Sequence, residues 1–152
     1  MVIAIAAVAI TGFLVFQAHR NVSLVKRVEQ INTVCQRAYL EAILNQKIFQ
    51  LRFYFNEDAE LEFVGCAAVH SVENIASEQI PENKQTRLYK GLHVRACAIN
   101  GKDEIARSRT RETWIFLYPE GYTQEVLLTC VVDELRLQLR LNPFTGCFED
   151  VL

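Results

Sequence analysis

Residues 1–18 form an apolar run, Val2-Ile3-Ala4-Ile5-Ala6-Ala7-Val8-Ala9-Ile10 and then Phe13-Leu14-Val15-Phe16, with no charged side chain before His19-Arg20. A helix of about 18 residues rises ~27 Å against the ~30 Å hydrocarbon core of a bilayer, so the run predicts a membrane anchor. A cleavable signal would put basic residues before the run and a small-residue cleavage site after it, and a buried core helix would carry a polar stripe. The pattern then changes without breaking. Val22, Val25, Val28, Ile31, Val34 or Cys35, Ala38 and Ala42 recur at steps of three and four, with Arg20, Lys26, Arg27, Glu29, Gln30, Gln36, Arg37 and Glu41 between them. No proline interrupts and Gly12 is the sole glycine, which predicts one continuous helix of about 45 residues, amphipathic in its second half and closed at Asn45-Gln46. Its apolar stripe needs a surface to lie on.

Beyond Gln46 the period becomes two. Phe49, Leu51, Phe53 and Phe55 share one face of a half-buried strand, with Gln50, Arg52 and Tyr54 on the other. Asn56-Glu57-Asp58 turns the chain into a second strand from Glu60 to about Val64, and Gly65 to Ile80 fits helix and strand equally well. A polar loop, Pro81 to Thr86, precedes a strand from Leu88 to Ile99 that ends at Asn100-Gly101, a pair suited to a tight turn because both residues tolerate positive φ. Lys102 to Glu112 reads as an exposed, charged connection. Thr113 to Tyr118 is a strand with Trp114, Phe116 and Tyr118 on one face, Pro119-Glu120-Gly121 is a turn, and Glu125 to Val132 is the return strand. Leu135, Leu137, Leu139 and Leu141 alternate with Arg136, Gln138 and Arg140, and Asn142-Pro143-Phe144-Thr145-Gly146 turns that strand into Cys147 to Val151. The expected fold class is α+β: a long N-terminal helix packed on an antiparallel sheet whose apolar face covers the stripe. Residues 1–18 are the transmembrane part, 19–46 the amphipathic part and 47–152 the head, with 19–152 one folding unit.

Composition narrows the chemistry. Sixteen basic against 18 acidic side chains leave a net charge of -2 and no basic block interleaved with aromatics, so no nucleic-acid partner is expected. The cysteines at 35, 66, 97, 130 and 147 stand far apart without CxxC spacing, unlike a zinc ribbon or a disulfide-stapled scaffold. Cys130 and Cys147 fall on strands that can be neighbours, which leaves a disulfide open. Cys66, His70, His93 and Cys97 form two pairs with ligand-like spacing, the candidates for a tetrahedral zinc site. Nothing in the sequence brings the two pairs together, and cysteine is among the most buried residue types, so the expectation is ordinary core thiols and no metal. Glu57, Asp58 and Glu60 lack the order and glycine of a calcium loop, and the Phe49 to Phe55 row is core rather than a ligand groove. No nucleophile elbow, HExxH, phosphate loop or catalytic triad is present, so we expect no enzyme, no cofactor and no small-molecule substrate.

An apolar Val-x-Ala-Ile run passing directly into an amphipathic helix and then a β-rich head resembles a type IV pilin or a type II secretion pseudopilin. Arg37-Ala38-Tyr39-Leu40-Glu41-Ala42-Ile43, Gln50-Leu51-Arg52-Phe53, and the hairpins Phe116 to Gly121 and Leu139 to Gly146 are similar to the minor pseudopilins of the H type, the GspH/FimT family. The family's basic leader, its glycine, the N-terminal phenylalanine and the nearby glutamate are not in the sequence, which reads as if begun partway through that segment. An in-frame segment encoding them upstream of Met1 is the expectation. Arg20, Lys26 and Arg27 alone would hold the head in the cytoplasm, and the leader would carry the opposing charge.

The resemblance implies a structural subunit of a pseudopilus or related pilus, in the bacterial inner membrane, with a single pass and the head in the periplasm. Its partners would be other pilin-like subunits and the membrane. The assembly helix would use Val2, Ile5, Val8, Val22, Val25, Val28, Ile31, Ala38 and Ala42. The alternative from another class is a membrane-anchored periplasmic sensor or binding domain, which tolerates a break after the anchor; Val22 to Ala42 shows none.

Overall fold

In the computed structural model the backbone is described at residues 2–70, 79–107, 111–132 and 134–151, and side chains at 23–70, 79–89, 91–105, 111–132 and 134–151. With no proline to interrupt it, α1 runs unbroken over Val2–Asn45, 44 residues and about 66 Å. It ends where Gln46 takes φ 52°, so that its N–H reaches the Ile43 carbonyl at 3.3 Å and the Lys47 N–H reaches that of Ala42 at 3.2 Å. These are the two closing bonds of a Schellman motif, here built without glycine.

The strands are β1 (Phe49–Phe55), β2 (Glu60–Ala68), β3 (Gln85–Ile99), β4 (Lys102–Asp103), β5 (Glu112–Tyr118), β6 (Tyr122–Thr123), β7 (Val126–Val132), β8 (Leu135–Leu141) and β9 (Phe148–Asp150). A 3-10 turn over Glu82–Lys84 leads into β3, and the short helix α2 spans Glu104–Arg107. All pairings are antiparallel, in the order β6-β5-β1-β2-β3-β7-β8-β9, with β4 folded back on β3 through Asn100 (φ 50°) and Gly101 (φ 79°). The sheet closes over itself, bringing Phe53 of β1 edge-on to Phe148 of β9 with ring centroids 6.3 Å apart. Ile31, Cys35, Ala38 and Ala42 of the helix join Leu51, Phe53, Leu61, Leu92, Ile115, Leu128 and Leu141 in one core.

The hairpin order expected for the C-terminal half needs correction. Glu125 to Val132 is not the return strand of β5; β7 pairs with β3 and β8, while β5 pairs with β1 and the two-residue β6. The Gln124 side chain accepts the Phe116 N–H at 2.9 Å, ending the β5–β6 ladder. At the next residue Glu125 exchanges bonds with Asn100, handing the chain to the end of β3.

The half-buried reading of β1 is also corrected, since Gln50 and Arg52 are each 1% exposed. Arg52 stands 5.1 Å over the Trp114 ring, its register partner on β5, and donates to Gln50 Oε1 at 3.2 Å with Glu112 at 3.5 Å. Ile80 crosses beside Gly65, where a Cβ would stand 3.1 Å from its Cγ2, and so covers this second face. On β5 the core takes Thr113, Ile115 and Leu117, leaving the aromatic face of Trp114, Phe116 and Tyr118 to this outer layer. Of the ambiguous stretch, 65–68 is strand and 71–78 lies outside the described residues.

Candidate functional site

The amphipathic half of α1 is the element with both an inside and an outside to account for. Its inner face, from Ile31 to Ala42, is buried on the sheet, and Leu24, Val28 and Val34 pack at its margins. Polar side chains at the flanks do what neighbouring strands would do. Asn32 accepts the Phe148 N–H at 2.6 Å and donates to the Phe148 carbonyl at 3.0 Å, an amide standing in for a strand beside β9. On the other flank Gln30 accepts the Tyr89 N–H at 2.8 Å, and Arg27 donates to the Gly91 carbonyl at 3.3 Å. Those carbonyl and amide groups need partners because β3 runs Leu88, Tyr89, Lys90 and Gly91 opposite the single residue Glu62, a bulge that leaves the ladder.

At the far end of the helix the Tyr39 hydroxyl lies 2.7 Å from the carbonyl oxygens of both Gly121 and Phe144, its one proton shared between them. The Pro119 and Pro143 turns therefore converge on one helix side chain. Gly121 (φ 87°) and Gly146 (φ 67°) hold the left-handed conformation that closes each turn, and a Cβ at Gly146 would stand 2.8 Å from Tyr39 Cβ. Tyr39 entered the sequence reading only as part of a motif. The signal for it was a residue with an apolar body and a polar tip at the margin of the Ile31-Cys35-Ala38-Ala42 stripe.

The outward face carries Val25, Leu40 and Leu44, 54%, 50% and 80% exposed, among Lys26, Glu29, Thr33, Gln36 and Arg37. At 100° per residue, Val25, Gln36, Leu40 and Leu44 fall within an arc of about 100°, opposite the buried stripe. Of the residues expected to serve assembly, Ile31, Ala38 and Ala42 face the chain's own sheet, Val28 packs at its edge and Val25 faces out. The side chains of Val2, Ile5, Val8 and Val22 lie outside the described residues, as does the side-chain layer of the span expected over 1–18. Among the described residues no helix is long and apolar enough to cross a membrane.

The zinc candidates are not brought together. Cys66 pairs across β1 with Leu51, whereas His93 lies opposite Glu60 at the other end of β2, about 20 Å away along the strand. Among the described residues no cluster of three or more His, Cys, Asp or Glu has metal-binding geometry. All five cysteines are free thiols, so Cys130 and Cys147 form no disulfide. Burial pushes the Cys97 and Cys130 thiols up to about 12 and raises that of Cys35 further, with Cys147 and Cys66 adding to it, so all three stay protonated at neutral pH.

No protein-family model matches the sequence, and no curated protein matches it. The structure is similar to that of the minor pseudopilin EpsH from the type 2 secretion system of Vibrio cholerae, with a TM-score of 0.50 at 13% identity. The match covers 82% of this chain and 92% of that one. At that distance in sequence, what the two chains share is a fold: one long helix packed on an antiparallel sheet.

Proposed function

We propose that the chain is a minor pseudopilin-like structural subunit that assembles into a type II secretion pseudopilus or a related type IV pilus. Its work is mechanical rather than enzymatic: residues 1–18 hold it in the inner membrane, the head stands in the periplasm, and the helix packs against the helices of neighbouring subunits. The observation that carries this reading is the unbroken Val2–Asn45 helix, whose second half is clamped to its own sheet on one side and keeps Val25, Leu40 and Leu44 exposed on the other. A tether for a sensor domain needs neither the continuity nor the clamps. The likeness in fold to EpsH supports it further.

The test is a charge in the apolar half. An Asp at mid-helix costs about 3 kcal/mol on insertion scales. Val8→Asp is expected to abolish cross-linking to partner pilin-like subunits and to stop secretion in the native host, with the head's unfolding midpoint unchanged. Normal assembly by a stably expressed Val8→Asp protein would show that the helix only tethers.

A further inference from the structure

Between α1 and the start of β3 lies a cleft of about 330 Å³ that the assembly reading does not use. Thr33, Arg37 and Glu41 line it from the helix, Lys84 and Thr86 from the sheet side, and the half-buried Cys66 from the floor. Glu41 is already engaged, holding Arg37 at 3.0 Å within the helix. Lys84, at the end of the 3-10 turn, has no ion-pair partner among the described residues. Thr33 has already given its hydroxyl proton to the Glu29 carbonyl at 2.8 Å. Among the described residues the cleft therefore presents one cation without an ion-pair partner, beside the Thr86 hydroxyl and above the apolar side chains of Val34 and Phe49. A chain with an aliphatic stem and an anionic tip matches that lining: the stem lies on Val34 and Phe49, and the tip accepts from the Lys84 ammonium and the Thr86 hydroxyl.

We propose that this cleft receives an acidic side chain from a partner protein, with Lys84 as its counter-ion. Because Thr33 and Arg37 also border the outward helix face, a partner lying along that face reaches the cleft without rearrangement. The identity of the partner as a pilin-like subunit rests on the assembly reading; the chemistry of the cleft does not.

Cys66 is a built-in probe. Its thiol is raised by burial and by Glu41, while Arg37 and Lys84 act in the opposite sense. In the full-length protein, iodoacetate and iodoacetamide deliver the same carbon to sulfur and differ in charge, so their rate ratio at one thiol reports the local preference for a carboxylate. Half-buried Cys147, outside the cleft, is the internal reference. We expect the iodoacetate-to-iodoacetamide ratio at Cys66 to exceed that at Cys147 by about threefold, the scale of one unit charge roughly 6 Å away across water. Lys84→Gln should erase the difference and Lys84→Arg should keep it.

In native membranes, zero-length carbodiimide coupling should then join the Lys84 amine to a carboxylate of another protein, an adduct that Lys84→Arg cannot form. Equal ratios at Cys66 and Cys147, or no protein adduct through Lys84, would overturn the proposal. If Val8→Asp abolishes assembly and Lys84 couples to nothing, the cleft inference falls and the pseudopilin reading stands. If Lys84 couples while Val8→Asp assembles normally, the reverse holds.

Discussion

The two faces of the amphipathic half of α1 both carry apolar side chains and use them differently. The inner face is small as well as apolar: Ala38 and Ala42, both fully buried, let the helix backbone approach the sheet, with Ile31 and Cys35 filling the space between. The outer face carries larger residues, Val25, Leu40 and Leu44, spaced among charges and left in solvent. A stripe read by periodicity alone therefore reports the intramolecular contact. The face available to a neighbour is the thinner one, marked by residues that break the polar pattern rather than by residues that make the apolar one.

The largest break in this comparison is to remove the helix. If residues 19–152 form one folding unit, as we propose, a chain beginning near Val22 should be a soluble monomer that unfolds cooperatively, because the sheet covers the remaining stripe. A chain beginning after Asn45 should aggregate, since Phe49, Leu51 and Phe53 lose their cover. Matching solubility and unfolding midpoints for the two, by light scattering and circular dichroism, would mean that the sheet does not depend on the inner face.

Next in size is the close approach at the helix end. Gly146→Ala asks an L-residue to take φ 67° and puts its Cβ 2.8 Å from Tyr39 Cβ, an atom fixed to the helix backbone. Strain and overpacking together should cost about 3 kcal/mol in chemical denaturation. Gly101→Ala, at φ 79° with open space around the Cβ position, separates the two terms and should cost about 1 kcal/mol. Equal losses at the two glycines would mean that the turn is not pressed on the helix.

The elements that were legible in sequence are those whose signal is local. The helix Val2–Asn45, the β1 and β8 alternations and the Asn100-Gly101 turn depend on residues that are neighbours in the chain. Pairing partners were not local. Whether β7 returns beside β5 or joins β3 is decided by Gln124 and Asn100, whose side chains take over backbone bonds that the alternation of Val126, Leu128 and Cys130 cannot specify. Depth was also hidden. Leu135 and Leu139 sit at equivalent places in one period-two pattern, but Leu135 is exposed and Leu139 buried because the first residues of β8 overhang the core. Arg52 read as a surface residue and is buried, since its cover, Trp114 and Ile80, comes from distant segments. At the candidate site, the stripe was legible, and the clamps at Arg27, Gln30, Asn32 and Tyr39 were not, because each bonds backbone rather than a complementary side chain.

A smaller change sharpens the role of the clamp. Tyr39→Phe keeps the ring and its packing while removing the one proton shared by the Gly121 and Phe144 carbonyls. Losing that donor in a partly buried place should cost about 1–2 kcal/mol. Amide exchange should rise in the Pro119 and Pro143 turns before it rises in β1, since the core face of the helix is untouched. Uniform loss of protection through the head would show that the hydroxyl holds the whole fold rather than the two turns.

The smallest effect on stability is expected where the effect on assembly is largest within the amphipathic half of the helix. Leu44 is 80% exposed in the last turn of α1, so Leu44→Ser removes almost no buried area and should shift stability by no more than about 0.5 kcal/mol. If the outer face is an intermolecular surface, the same side chain is buried in the fibre. Its loss should then weaken cross-linking between subunits, and Leu40→Ser, one turn earlier on the same face, should do the same. Glu29→Gln, within that arc but polar to begin with, should leave assembly near the parent level. That contrast between apolar and polar positions, all exposed on one face, distinguishes a packing surface from a merely solvated one. A Leu44→Ser, Leu40→Ser double variant that folds, cross-links and supports secretion like the parent would show that the outer face contributes nothing to assembly, and would confine subunit contact to the apolar half of the helix.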